Sequence, residues 1–457
     1  MQIIDVLPVK FFLTKPHLKV LLLFFVALNW QNSPSVCHGQ TTSDSIFKIK
    51  IDAGDLNRSN DIVRTLLWLE NAKARPVALT DESNNTLTGQ ISTPNYADVL
   101  ASADQSKATG NKKLVELTFV LPSLAAGKSI TLAGTETILN ATHQYKWHDD
   151  GSTRAELQHD GNPVMAYMYE EVDDGSPERR KATYKVFHHI YSPNGDRLLT
   201  KGPGGLFPHH RGIFFGFNRI SYGENQQADV WHCNQGESQI NRKLVVTSNP
   251  VFGQSRSLID WNGRDGKPFA KESRELTAIK LDNATVIDFR TSLVSLVDHL
   301  KLDGDPQHAG VQFRASQLVP DKTKHLTYYN RPDGQSAPGK FRNWSNKKNE
   351  SDINKSHINL PFLAMTIAVP NSKTDGQKSE NSVYTIAYLS DDANPKPSRF
   401  SERDYGRFGS YFEATVVPEA PLNLHYRYWV VDGASKTNTI QNLSDQFANP
   451  VKVEVVK

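Results

Sequence analysis

Short segments with the pattern of β-strands recur along the chain and limit the folds that it can adopt. From residue 140 onward, apolar or alternating stretches are separated by turn residues at intervals of roughly 10 to 15 residues. This spacing is typical of antiparallel β-proteins. Stretches with helical periodicity are scarce, and the 457 residues include 28 glycines and 24 prolines, which favour turns. The pattern predicts an all-β fold, and the length predicts more than one domain.

Residues 1–39 have the features of a signal peptide. Three lysines precede a nine-residue apolar run from Val20 to Leu28, and a polar, proline-containing stretch follows. Nine residues are too few to cross a bilayer, but they suit the apolar region of a secretory signal. We therefore expect an exported protein, periplasmic or extracellular.

The remaining sequence divides into two predicted β-domains. Residues 46–135 predict a small, Ig-like β-sandwich, in which Phe47–Ile51 alternates as a half-buried strand should. In the same part Ile62–Leu69 predicts a short helix, because its apolar residues do not alternate. Residues 140–457 are richer in aromatic residues and histidine and predict a large antiparallel β-sandwich.

Charge and cysteine content exclude several classes of protein. With 52 basic and 49 acidic residues the net charge is +3, which argues against nucleic acid or an anionic membrane as partner. No second segment approaches membrane-spanning length. After removal of the signal peptide only Cys233 remains, so an intramolecular disulfide is excluded, and a buried thiol is the expected state.

The first candidate site is the segment from Pro208 to Gly212, which contains His209, His210 and Arg211. It follows a Gly/Pro-rich approach and precedes a buried apolar strand, an arrangement in which loops often carry catalytic groups. If the segment is extended, His209 and Arg211 project from one face and His210 from the other. Both histidines meet one ligand only if the backbone turns. We predict His209 as a catalytic residue and His210 and Arg211 as substrate-binding residues.

A second candidate segment runs from His308 to Ser316 and alternates between polar and apolar residues. If it is a strand, His308, Gln312 and Arg314 share one face. The other face carries four apolar residues: Ala309, Val311, Phe313 and Ala315. We predict that the apolar face packs inward, that His308 is catalytic, and that Gln312 and Arg314 bind substrate. A solvated polar face is the alternative.

Five further residues complete the predicted substrate-binding set: Trp231, His232, Arg403, Tyr405 and Arg427. Their imidazole, guanidinium and aromatic groups suit a polyhydroxylated or anionic ligand. Structural stacking of Arg427 on Trp429 is the alternative for that residue. No cofactor and no metal are assigned, although a metal site built from His209, His210, His232 and His308 is a minor alternative.

The region from about 155 to 457 resembles the PmoA-like family, a group of mostly exported bacterial proteins of poorly defined function. The resemblance rests on motifs in matching order: Ser192–Gly195, Pro208–Gly212, Trp231, His308–Ala315, Asn394-Pro395, Tyr405-Gly406 and Tyr426-Arg427. It implies a β-sandwich similar to galactose mutarotase-like and polysaccharide lyase supersandwich domains, and an association with carbohydrate breakdown. The family label derives from a methane oxygenase subunit, whose membrane-spanning helices this chain lacks.

These observations favour an exported carbohydrate-active enzyme, a hydrolase, lyase or epimerase that acts on a sugar or modified glycoside. Its expected partners are a small-molecule or glycan substrate, with no nucleic acid and no membrane span. Two alternatives stay open at this stage: a non-catalytic glycan-binding protein, and a metal-dependent oxidase as the family label suggests.

Overall fold

The computed structural model describes residues 45–70, 73–94, 108–137, 144–305, 307–342, 356–371 and 380–456. The predicted signal peptide lies outside these residues, so export stays a prediction. In the part of the chain described, no helix is long and apolar enough to span a bilayer.

The N-terminal part of the described chain is a seven-stranded antiparallel sheet. In spatial order the strands are β2 (Arg58–Leu69), β5 (Lys113–Leu124), β4 (Thr86–Ser92), β3 (Arg75–Thr80), β6 (Ser129–Glu136), β1 (Phe47–Asp52) and β28 (Lys452–Val456). The last strand comes from the C-terminal end and pairs with β1. Apolar side chains from β1 to β6 form one core cluster, which requires the sheet to curve around them. The predicted domain boundaries stay a prediction.

The predicted helix at Ile62–Leu69 is wrong, because these residues lie in strand β2. They do not alternate because both faces of the strand meet other parts of the protein. Val63 and Leu67 pack in the core of the seven-stranded sheet, whereas Ile62 packs against Phe252 and Ile279 on the outside. A strand that is buried on both faces loses the period of two by which strands are recognised.

The larger part contains three more antiparallel sheets. The eight-stranded sheet has the order β24 (Arg399–Arg403), β25 (Arg407–Tyr411), β19 (Ala309–Arg314), β11 (Ile213–Phe217), β10 (Phe187–Ile190), β9 (Asn162–Met168), β8 (Arg154–His159) and β7 (Tyr145–Asp149). The nine-stranded sheet has the order β14 (Ser238–Ser248), β15 (Gly253–Asn262), β16 (Pro268–Lys280), β17 (Ala284–Ser295), β27 (Leu422–Asp432), β23 (Asn381–Ser390), β22 (Phe362–Pro370), β20 (Tyr328–Arg331) and β21 (Gly334–Gln335). The four-stranded sheet has the order β13 (Gln226–Ala228), β12 (Arg219–Tyr222), β18 (Leu300–Asp303) and β26 (Ala414–Val416).

The core of this larger part lies between the sheets. One apolar cluster contains Phe215 and Val311 from the eight-stranded sheet, Ile287 and Tyr428 from the nine-stranded sheet, and Leu302 from the four-stranded sheet. The helical segments in the described part of the chain are short: α1 (Pro177–Thr183), a π-helical turn (Val319–Thr323), a 3-10 turn (Lys324–Leu326) and α2 (Thr437–Ala448). The predicted all-β, antiparallel fold class is confirmed.

Buried ion pairs join the seven-stranded and nine-stranded sheets. Arg64 on β2 contacts Glu116 on β5 at 2.8 Å, Glu275 on β16 at 3.3 Å and Asp288 on β17 at 3.6 Å. Arg427 on β27 donates to both carboxylate oxygens of the same Asp288, at 2.6 and 3.0 Å. These carboxylates are buried and no longer hydrated. Their charged form is therefore stabilised by the guanidinium group beside each of them.

Candidate functional site

The candidate site lies on the outer face of the eight-stranded sheet, over strands β11, β19 and β25. Phe214, Gln312 and Gly409 form one cross-strand row on this face. Their neighbours Phe215 and Val311 point the other way, into the core between the sheets. The predicted inward packing of Ala309, Val311, Phe313 and Ala315 is confirmed.

A turn before strand β11 brings two histidines to this face. Phe207 has a positive φ of 54°, and the backbone N–H of His210 donates to the Phe207 carbonyl at 3.0 Å. The His209 and His210 rings consequently lie with their centroids 4.2 Å apart. The predicted parity, with these histidines on opposite faces, is wrong because the segment is a turn and not an extended strand.

Gly212 allows this turn to lie close to the neighbouring strand β10. It has a φ of +39°, and a Cβ atom at this position would lie 1.9 Å from the carbonyl oxygen of His188. Any other residue would therefore push the loop away from the sheet. The glycine fixes where His209 and His210 stand.

Two further histidines complete a cluster of four imidazole rings. His308 precedes strand β19, and its ring centroid lies 6.2 Å from that of His209 and 6.4 Å from that of His210. His232 follows strand β13 and lies 4.5 Å from His209 and 5.1 Å from His308. Residues that are far apart in sequence thus meet over one patch of the sheet.

Two of the four histidines are held by aspartates. The Nδ1 atom of His232 lies 2.8 Å from a carboxylate oxygen of Asp229, and Nδ1 of His308 lies 3.0 Å from Asp305. Burial raises the pKa of Asp305, but hydrogen bonds from His308 and from the Gln307 backbone outweigh it, so the pKa lies well below its usual value. A carboxylate on Nδ1 keeps that nitrogen protonated and leaves the lone pair on Nε2.

In the other two histidines, three ring nitrogens are buried without a hydrogen-bond partner among the described residues. His210 is only 1% exposed, and neither of its ring nitrogens has a partner among the described residues. Nε2 of His209 is also buried without one. Burial, then the positive charge of Lys185 and further neighbours, lowers the pKa of His209 to about 2. Burial and Arg407 hold the pKa of His210 well below its usual value, so both rings are neutral at physiological pH.

Three arginines lie beside the histidines in one row across strands β19, β25 and β24. Arg314 is opposite Arg407 in the strand register, and Arg407 is opposite Arg403. Like charges directly across neighbouring strands destabilise a sheet, and these three are buried. Burial and the charge of Arg407 lower the pKa of Arg314, and likewise that of Arg403, to about 10. Such a row calls for a negative charge to compensate it.

Each guanidinium in the row has one buried N–H group without a partner among the described residues, namely Nε of Arg314 and one terminal nitrogen each of Arg403 and Arg407. The other N–H groups hold the side chains in place. Arg407 donates to Oε1 of Gln312 at 2.9 Å and to the Tyr405 hydroxyl at 3.2 Å. Gln312 therefore positions Arg407.

Aromatic rings border the histidine cluster and the arginine row. The Tyr405 ring lies parallel to that of His210 at 6.1 Å and under the Arg314 guanidinium at 5.1 Å, so it links histidines and arginines. Phe207 lies 4.9 Å from Tyr405 and is 40% exposed, which places an apolar ring at the rim. Trp231 is fully buried against His210 and forms part of the floor.

Residues 154–445 match the model of DUF6807, described as a family of unknown function. The chain belongs to the DUF6807 family. The assignment to the PmoA-like family is therefore wrong, because the family model that matches this region is a different one. No curated protein matches the chain.

Solved structures with some likeness to this DUF6807 protein include an alpha-mannosidase and an alpha-galactosidase. An alpha-mannosidase from Enterococcus faecalis V583 matches with a TM-score of 0.38 and 9% identity, over 90% of this chain and 46% of that one. A GH36 alpha-galactosidase from Geobacillus stearothermophilus matches with a TM-score of 0.30 and 10% identity, over 65% and 41%. This chain therefore spans less than half the length of either enzyme, and the scores are too low to assign an activity.

Two predicted site residues of the DUF6807 chain make structural contacts away from the clusters. Arg211 is fully buried, donates to the carbonyls of Lys181 and Ala182 at the end of helix α1, and stacks on Tyr184 at 4.2 Å. Arg427 belongs to the ion pairs between the sheets. The remaining nine line the face described above: His209, His210, Trp231, His232, His308, Gln312, Arg314, Arg403 and Tyr405.

Sequence reasoning missed four residues of the site. Arg407 follows the predicted residues Arg403 and Tyr405 closely in sequence, and Phe207 directly precedes the first candidate segment. Asp229 and Asp305 each precede their histidine by three residues, in D-x-x-H. That repeated spacing was a usable signal.

Proposed function

We propose that this DUF6807 protein is an exported enzyme that acts on an acidic sugar, a uronic acid or its glycoside, by lyase or epimerase chemistry. One observation carries the proposal: a row of three buried arginines with unpartnered N–H groups lies beside aspartate-backed histidines. A carboxylate is the planar anion that guanidinium groups bind best. The alpha-mannosidase and alpha-galactosidase likenesses are too weak to add support.

The neighbouring groups suit removal of a proton from the carbon next to the bound carboxylate. Arginine N–H groups would neutralise the carboxylate and the negative charge that develops on it, which is the main electrostatic requirement of this reaction. The Nε2 lone pair of His232 or His308 accepts the proton, and Asp229 or Asp305 stabilises the imidazolium. For an epimerase, the second histidine or a water molecule would give a proton to the opposite face of the same carbon. For a lyase, the neighbouring C–O bond would break as the C=C bond forms, and the leaving oxygen would take a proton from the imidazolium or from water and depart as an alcohol.

This chemistry is favoured over hydrolysis by a pair of carboxylic acids. A glycosidase needs one carboxyl group as acid and another as base or nucleophile. In the cluster both aspartates are hydrogen-bonded to imidazoles. The exposed Phe207 ring at the rim offers an apolar surface for the C–H face of a sugar.

Incubation with acidic and neutral oligosaccharides in D₂O tests the proposal. We expect deuterium to enter the carbon next to the carboxylate of an acidic glycan, detected by NMR, with or without an unsaturated product. His232→Gln should slow this exchange about 100- to 10,000-fold, the usual contribution of a general base.

His148→Gln on exposed strand β7 is the matched control and should exchange at the wild-type rate. Exchange with neutral glycans only would contradict the proposal. So would tight binding of acidic glycans without exchange, a result that would favour the glycan-binding alternative.

A further inference from the structure

Three imidazole rings converge on one point in the candidate site. One ring nitrogen from each of His209, His210 and His308 lies within 4.8 Å of the corresponding nitrogen of the other two. Two of these histidines lie in the turn before strand β11, and the third directly precedes strand β19. The fold therefore brings together residues from two separate segments. Three convergent imidazoles are the ligand set of many catalytic zinc sites.

The electronic state of these rings suits a ligand role. His210 is buried with both ring nitrogens unpartnered among the described residues, and so is Nε2 of His209. A neutral imidazole carries one lone pair, and a buried lone pair needs either a proton donor or a metal ion. One cation bound between the three convergent nitrogens would accept a lone pair from each ring at once.

The His308 ring is oriented by a carboxylate, as histidine ligands of metal ions usually are. The Asp305 carboxylate binds Nδ1 of His308 at 3.0 Å, and the Asn218 side chain donates to the same carboxylate at 2.9 Å. Histidine ligands commonly donate their second N–H to a carboxylate, which fixes the tautomer and orients the ring. This leaves Nε2 of His308 free for coordination.

We propose that His209, His210 and His308 bind one divalent transition metal ion of the zinc type, with an open position for a substrate oxygen. Tetrahedral zinc with its usual Zn–N distances places ligand nitrogens about 3.3 Å apart, so each ring needs to move inward by about 1 Å or less. The ion would act as a Lewis acid on the carboxylate or hydroxyl oxygen of the sugar. His308 is then a ligand, and proton transfer falls to His232 with Asp229; this last role rests on the proposed function, whereas metal binding does not.

The surroundings carry charges of both signs. Arg407 and Lys185 act on His209 and His210 and disfavour a cation. The carboxylates of Asp305 and Asp229 lie directly behind two of the four rings. Their negative charges offset the positive charges of Arg407 and Lys185. An anionic substrate would bridge the metal and the guanidinium row, as charge balance requires.

Metal titration of the purified, chelator-treated protein without any sugar tests the inference. We expect about one zinc ion per chain by elemental analysis, as for a single three-histidine site. Cobalt substitution should give the intense visible absorption of a four- or five-coordinate centre. No stoichiometric zinc and no cobalt spectrum would overturn the proposal.

Variants distinguish this site from incidental binding. His308→Ala should abolish stoichiometric binding, while Asp305→Asn keeps the ligand and should weaken zinc affinity about 10- to 100-fold, as loss of a supporting carboxylate does. His148→Ala, exposed on strand β7, should bind as the wild type does. Equal zinc binding by His308→Ala and the wild type would contradict the proposed ligands.

The metal and the acidic-sugar proposal fail separately. Deuterium exchange by a protein that binds no stoichiometric zinc or cobalt would refute the metal site and leave the enzyme proposal standing. A stoichiometric metal centre in a protein that exchanges no acidic glycan would do the reverse.

Discussion

Replacing Arg407 by methionine is expected to lower kcat/KM for an acidic sugar by about 10- to 150-fold. Arg407 is the middle member of the guanidinium row and is fully buried. Loss of a hydrogen bond to a charged group removes about 1.5–3 kcal/mol of binding free energy. This energy corresponds to the expected decrease in kcat/KM of about 10- to 150-fold. Steady-state kinetics on the acidic glycan that exchanges deuterium gives the measurement.

Controls separate this effect from misfolding. Arg407 also donates to Gln312 and to the Tyr405 hydroxyl, so its loss disturbs two neighbours. Arg403→Met disturbs less, because Arg403 donates to the backbone carbonyl of Glu402. This variant should also have a lower kcat/KM for acidic substrates, while its melting temperature stays close to that of the wild type. Unchanged kcat/KM in both folded variants would exclude the guanidinium row from substrate binding.

Replacing Arg64 by methionine is expected to destabilise the protein by about 3–5 kcal/mol, the usual penalty for removing one partner of a buried ion pair. Arg64 contacts Glu116, Glu275 and Asp288, and its side chain is 5% exposed. The variant keeps the apolar stem but leaves three buried carboxylates with one fewer cation. Denaturant unfolding, followed by fluorescence, gives the free-energy difference.

Arg179→Met is the matched control for Arg64. Arg179 pairs with Asp173 at 2.8 Å, but the two side chains are 47% and 42% exposed, so water compensates most of the loss. A change in the free energy of unfolding far smaller than that of Arg64→Met is expected for such a surface pair. Equal destabilisation by the two substitutions would contradict the role assigned to the buried ion pairs.

The fold class and one strand of the site followed from local pattern. Strand β19 alternates so clearly that Val311 and Phe313 could be placed in the core and Gln312 and Arg314 on the opposite face. Such alternation is a property of neighbouring residues, and a single sequence displays it directly. The D-x-x-H spacing of both aspartate–histidine pairs is an equally local signal.

Other features depended on contacts between distant segments. The turn at Phe207 reversed the expected parity of His209 and His210, because a positive φ at a phenylalanine has no reliable sequence signal. Arg211 and Arg314 look alike in sequence, yet Arg211 binds the end of helix α1 and Arg314 stands in the guanidinium row. The row itself exists only through the pairing of β19, β25 and β24. Strand pairing over such separations is set by the whole fold.

Isothermal titration of the wild-type protein with uronates and with their neutral parent hexoses tests the central claim most directly. We predict that at least one uronate binds about 10- to 150-fold more tightly than its neutral parent, the contribution of one charged hydrogen bond. The same preference should disappear in Arg407→Met. Equal affinity for every acidic and neutral pair, or a preference that survives in Arg407→Met, would contradict an acidic-sugar site at the guanidinium row.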